Sequence, residues 1–159
     1  KSLSGSREAN SLILYSALKI MGSRGYALLI EHGIETAKSF AEEINNRPDF
    51  ELVTPPELNI LTYRICPAEI KREIGTSLDE QRKILNERLN EINITVQRLQ
   101  REAGKSFVSR TMLKTYKGRC ESIVVLRCVI MNPLTDINIL QDILDEQEEL
   151  YRSEFGQTN

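Results

Sequence analysis

The segment from Ser77 to Ala103 constrains this chain more than any other. Leu85, Leu89, Ile92, Val96 and Leu99 recur at four, three, four and three, which puts them on one stripe of an α-helix. A stripe like this is buried either in a coiled coil or against a sheet. About two heptads is short for a coiled coil, so the reading is a long helix lying on a sheet. Strands should therefore be found on both sides of it, and they are. Upstream, Phe50 and Leu52 alternate with polar neighbours, and Ile60, Leu61, Tyr63 and Ile65 form a second run after "PPEL". Downstream, Gly104 stops the helix, "SFVSRTMLKTY" alternates as a strand, and "GRC" turns the chain into the run "VVLRCVIM".

The flanks add helices. "REANSLILYSALKIMG" is apolar on nearly every side, the mark of a helix buried among other elements. Gly22 ends it, and Ser23 is placed to cap a second helix reaching about Asn46. In that second helix Ile34, Ala37, Ala41 and Ile44 face inward, with Lys38, Glu42 and Glu43 toward water. "CPAEIKREIGTS" reads as irregular. Pro133 and Thr135 open a last helix, with Thr135 as N-cap and Ile137, Leu140 and Leu144 inward. The order is helix, helix, strand, strand, long helix, strand, strand, helix. Short connections within the strand pairs favour an antiparallel or mixed sheet covered by helices, an α+β fold.

With 159 residues, 40% hydrophobic and 28% charged, the chain has the composition of a soluble globular domain with its own core. A net charge of −2 argues against non-specific nucleic-acid or membrane-surface binding. No apolar run approaches the length of a membrane span. Cys66, Cys120 and Cys128 are odd in number and widely spaced, without a metal or disulfide pattern, which suits a reducing cytoplasm. The chain opens at Lys1 without a methionine, so it reads as part of a longer protein.

Three places could carry chemistry. His32, the only histidine, would have to serve any His-dependent mechanism, yet its neighbours read as packing. "SGSRE", Ser4 to Glu8, offers a hydroxyl and backbone N–H groups at the positive end of a helix, which suits either capping or a phosphate. Arg127 stands inside an apolar run that reads as a strand buried on both faces, where a guanidinium needs a partner. That partner is either an internal carboxylate or a ligand carboxylate gripped bidentately.

Several segments then fall together. "GSREANSLILYSALKIMGSRGYALLIEHGIETAKSFAEEINNRPDFELVTPPELNILTYRICP" and "GKSFVSRTMLKTYKGRCESIVVLRCVIMNPLTDINIL" resemble, in order and spacing, the C-terminal part of the pyridoxal-phosphate-dependent group II decarboxylases. This family includes the glutamate, aromatic amino-acid, diaminobutyrate and aspartate 1-decarboxylases. The resemblance implies the small α+β domain of a fold-type I enzyme at residues 47–159, with residues 1–46 a helical segment joining it to an upstream large domain. It implies that Arg127, in the "LR…NP" segment, binds the substrate carboxylate, and that Ser6 reaches the cofactor phosphate of the neighbouring subunit in a homodimer. It also implies that the lysine carrying pyridoxal phosphate lies upstream, because that lysine follows a histidine, whereas His32 precedes Gly33. A chain of this kind would be inactive alone. Two rival readings are the small domain of another fold-type I enzyme, such as an aminotransferase, and a non-enzymatic α+β domain binding a partner through its long helix.

Overall fold

The computed structural model describes residues 9–114 and 121–156. Ser6, Cys120 and the expected "GRC" turn lie outside them. Each alternating segment forms a strand: β1 (Phe50–Thr54), β2 (Ile60–Ile65), β3 (Ser109–Leu113) and β4 (Ile123–Val129). They make one four-stranded sheet in the order β1-β2-β4-β3, with every neighbouring pair antiparallel. The helices are α1 (Asn10–Asn46), α2 (Ala68–Thr76), α3 (Asp79–Ala103) and α4 (Ile137–Phe155). The α+β reading holds.

One face of the sheet carries the core. Phe50, Leu61, Tyr63, Ile65 and Leu126 meet Ala37, Phe40 and Ile44 of α1 and Leu85, Leu89, Ile92 and Val96 of α3. α4 packs on both α1 and α3 and adds Leu140 and Leu144. The apolar stripe of α3 is buried as its spacing requires, although Leu99, nearest the end, is only half-buried. Gly104 ends α3 in the left-handed conformation, φ 72°, its N–H returning to the Gln100 carbonyl.

Beside the apolar stripe of α3 runs a second stripe, of amides, displaced by one residue: Asn86, Asn90, Asn93, Gln97 and Gln100. The β2–β4 pairing stops at Tyr63↔Leu126, and side chains from this stripe take over. Asn93 accepts from the Ile65 N–H at 2.8 Å and donates to the Ile65 carbonyl at 2.9 Å. Asn90 accepts from the Val124 N–H at 2.7 Å. Gln97 donates to the Val108 carbonyl, and Gln100 bonds to Ser106 and Gln147. The helix therefore fastens three strands by polar contacts, satisfying backbone groups that would otherwise be buried unpaired.

Three expectations need correction. Residues 68–76 are helical rather than irregular: Pro67 stands ahead of the first turn, where a missing N–H does no harm, and Ile70 and Ile74, four apart, both turn toward the core. The N-cap of α4 is Asp136, whose carboxylate accepts from the Ile139 N–H at 3.0 Å. Thr135 is instead held in a turn, its N–H bound to the Asn132 carbonyl. The third concerns α1. Its helix breaks at Gly22 (φ 64°, ψ 176°), where a glycine was expected to end it, but the piece before the break is not buried. Leu12 is 62% exposed, Ile13 64% and Ile20 85%. Its all-round apolar character stands, yet no described element of this chain covers it.

Candidate functional site

The two arginines of the central strands have opposite surroundings. Arg64, in β2, is the buried one, 1% exposed. Its Nε and Nη2 each lie 2.7 Å from Glu51 Oε2, the residue facing it across the β1–β2 pair. Its Nη1 donates to Asn86 Oδ1 at 2.8 Å, and Asn86 donates onward to Glu121, which also accepts from Arg82. Through Nε and Nη1 this guanidinium links the β1–β2 pair to α3.

Arg127, in β4, is exposed rather than buried. Burial stops one residue earlier: Ile123 to Leu126 are buried, and Leu126 enters the core, so strand alternation turns Arg127 to the opposite face. The strand is buried on both faces as the apolar run implies, but only through its first half, from Ile123 to Leu126, so Arg127 falls just past the buried part. Among the described residues no carboxylate forms an ion pair with Arg127. Its recorded side-chain bond is from Nε to Ser109 Oγ at 3.3 Å. Ser109 Oγ in turn donates to the Arg127 carbonyl at 3.0 Å.

Register places Arg127 in a polar row across the sheet. Ser109 of β3 and Thr62 of β2 are its cross-strand partners, and Thr62 donates to Thr54 Oγ1 of β1 at 2.8 Å. Toward the other end of this face, Ile123 and Val125 form a small apolar cluster with Val53 and Leu113. A guanidinium between hydroxyls, at the end of an apolar patch, has the chemistry to accept a carboxylate. Arg127 stands exposed on a sheet face where its neighbours Thr62, Ile123 and Val125 are buried.

The end of β4 is tied to α1. The Ile130 carbonyl accepts from Asn59 Nδ2 at 2.8 Å, and the Ile130 N–H donates to the Asn59 carbonyl at 2.9 Å. Gly33 lets α1 come this close, since a Cβ there would stand 3.2 Å from the Ile130 oxygen. His32 is exposed, and its Nε2 lies 3.2 Å from the Pro133 carbonyl oxygen. It fastens the "NP" turn. Just past these ties, Leu29, Ile30, Leu58 and Met131 line an open apolar cavity of about 310 Å³.

Other reactive groups are muted. Burial pushes the Cys128 thiol up to about 11, far from a thiolate at neutral pH. Burial also raises the Tyr63 phenol, whose hydroxyl donates to Gln147. Among the described residues no cluster of His, Cys, Asp and Glu could hold a metal, and no helix is long and apolar enough to cross a membrane. Sequence reasoning missed Ser109 and Thr62. Their signal was register: the alternation of "SFVSRTML" and "ILTYRI" against "VVLRCV" places one hydroxyl on either side of Arg127.

No family model matches the chain. It is 43% identical over 151 residues to an aspartate 1-decarboxylase of Aliivibrio fischeri, covering 95% of this chain and 28% of that protein. It is 29% identical over 139 residues to an aromatic-L-amino-acid decarboxylase of Bacillus atrophaeus, covering 87% of this chain and 25% of that protein. The apo structure of mouse CSAD superposes with a TM-score of 0.76 at 21% identity, over 91% of this chain and 28% of that one, a likeness of fold. The chain spans little more than a quarter of the relatives it matches. In sequence and in fold it corresponds to the C-terminal part of the pyridoxal-phosphate-dependent group II amino-acid decarboxylase family.

Proposed function

We propose that the full-length protein is a pyridoxal-phosphate-dependent carboxy-lyase acting on glutamate, aspartate or diaminobutyrate, and that Arg127 holds a substrate carboxylate. The observation carrying this reading is the state of Arg127: exposed, flanked by hydroxyls, and without a carboxylate partner among the described residues. The 43% identity to an aspartate 1-decarboxylase supports the choice of an acidic substrate. The exposed Arg127 side chain becomes part of a cleft when the remainder of the protein packs beside it.

The cofactor, when bound, supplies the electron sink for loss of the carboxylate. This chain's part is to orient the substrate and help exclude water. Arg127 fixes the substrate by a planar fork matched to a carboxylate. Ser6 reaches the cofactor phosphate across a homodimer interface. The lysine that carries the cofactor belongs to the upstream large domain, since the sequence has no His-Lys pair. Residues 1–46 link that domain to the small domain at 47–159, and the apolar N-terminal half of α1 is the part that the rest of the assembly covers. The chain alone is therefore inactive. The working compartment is the cytoplasm.

The test is carbon dioxide release by the full-length protein across a panel of acidic, basic and aromatic amino acids, with its long-wavelength absorbance followed before and after borohydride. Release from an acidic substrate or diaminobutyrate, with a borohydride-sensitive band, is the expected result. A protein without such a band and without release is not a carboxy-lyase.

A further inference from the structure

We infer that Ser109 is a positioning residue that aims the Arg127 guanidinium and selects how a carboxylate meets it. The inference rests on the reading of Arg127 as a carboxylate receptor.

The geometry is a reciprocal pair. Ser109 and Arg127 face each other across the β3–β4 ladder. The Ser109 hydroxyl gives its one proton to the Arg127 carbonyl at 3.0 Å and offers a lone pair to Arg127 Nε at 3.3 Å. A hydroxyl has the valence for both roles at once. The first bond fixes the hydroxyl to the backbone, and the second ties the base of the guanidinium to the fixed hydroxyl. A free arginine can meet a carboxylate side-on, through Nε and one Nη, or end-on, through both Nη atoms. With Nε taken by Ser109, the side-on approach is occupied and the end-on fork remains. A carboxylate then docks beyond the tip of the side chain, on the axis set by β4. Thr62, on the other flank, donates its hydroxyl proton to Thr54.

The ion pair Arg64–Glu51 is the control on the same sheet. There one carboxylate oxygen spans Nε and Nη2, the side-on contact that Ser109 blocks at Arg127. The two arginines are thus set for two modes of carboxylate contact.

The test uses the full-length protein with its cofactor, and titration calorimetry with succinate as a carboxylate probe beside steady-state kinetics on the acidic amino acid it prefers. Ser109→Ala should raise KM and the succinate Kd together, by about three- to tenfold, the scale of one lost hydrogen bond at an exposed site, with the unfolding midpoint and cofactor content kept. Ser109→Thr, which retains the hydroxyl, should restore both constants. In an Arg127→Lys background Ser109→Ala should add nothing, because lysine has no Nε to aim. If Arg127→Lys raises KM while Ser109→Ala leaves KM and Kd unchanged, Arg127 keeps its role and the positioning inference is overturned. If Ser109→Ala lowers the unfolding midpoint alone, its hydroxyl is only a strand fastener, and the inference is likewise overturned. An Arg127→Lys protein with unaltered KM and Kd overturns both readings.

Discussion

Arg64 and Arg127 stand on neighbouring strands, in similar apolar sequence, and do different work. Arg64 lies between Tyr63 and Ile65, opposite Glu51, and is sealed under α3 by Asn86. Arg127 follows four buried residues of β4 but is itself exposed, and hydroxyls of Thr62 and Ser109 border it across the ladder. A buried arginine with an internal partner stabilises the fold and is closed to ligands. An exposed arginine with no carboxylate partner among the described residues contributes little to folding and remains available. What separates them is the residue across the strand pair: a glutamate for one, a threonine and a serine for the other.

The comparison breaks most visibly at Arg64. Arg64→Leu takes the guanidinium away from the buried Glu51 carboxylate and removes the donor to Asn86, a loss of about 3–5 kcal/mol. A urea midpoint that falls steeply, or failure to accumulate folded protein, is the expected outcome. Asn93→Leu comes next. It leaves the Ile65 N–H and carbonyl without the partners that now stand at 2.8 and 2.9 Å, a loss of about 2–4 kcal/mol for two buried backbone groups. Amide exchange at Ile65 should quicken in that variant. Arg127→Gln should change folding stability by no more than about 0.5 kcal/mol, as for surface positions away from special features.

The smallest effect concerns the α1–α4 clasp. Hydrogen bonds from Gln141, then from Arg47, hold the Glu43 carboxyl below its ordinary value of 4.5. A carboxyl depressed in the folded state stabilises above its unfolded pKa, and that stability is lost as pH falls through the folded value. Stability should therefore decline below about pH 4.5, and Glu43→Gln should flatten part of that decline. Because this pair is partly exposed, the part is a few tenths of a kcal/mol, readable as a small shift in acid midpoint.

Much of this fold could be read from the chain because its signals were local. The Leu85–Leu99 stripe fixed the central helix, Gly22 and Gly104 marked real breaks, and two alternating segments and two apolar runs became the four strands. What could not be read depended on pairing. Nothing along the chain says that Glu51 faces Arg64, or that Asn86, Asn90 and Asn93 reach into the sheet. Those amides share the 4–3 spacing of the leucines, but polar side chains at that spacing read equally well as a solvated face. The apolar start of α1 was legible as a surface needing cover, while its cover lies outside the described chain. Arg127 was singled out for the wrong reason, burial, and its interest now rests on exposure and on register with Ser109 and Thr62.

The measurement that meets the central claim most directly is kcat/KM of the full-length Arg127→Lys variant, taken with its unfolding midpoint. Lysine keeps the charge and loses the fork. A carboxylate-binding Arg127 predicts a loss of about 2–4 kcal/mol of transition-state stabilisation, with the midpoint unchanged. A lowered midpoint with kcat/KM intact would make Arg127 a second structural arginine, no different in kind from Arg64.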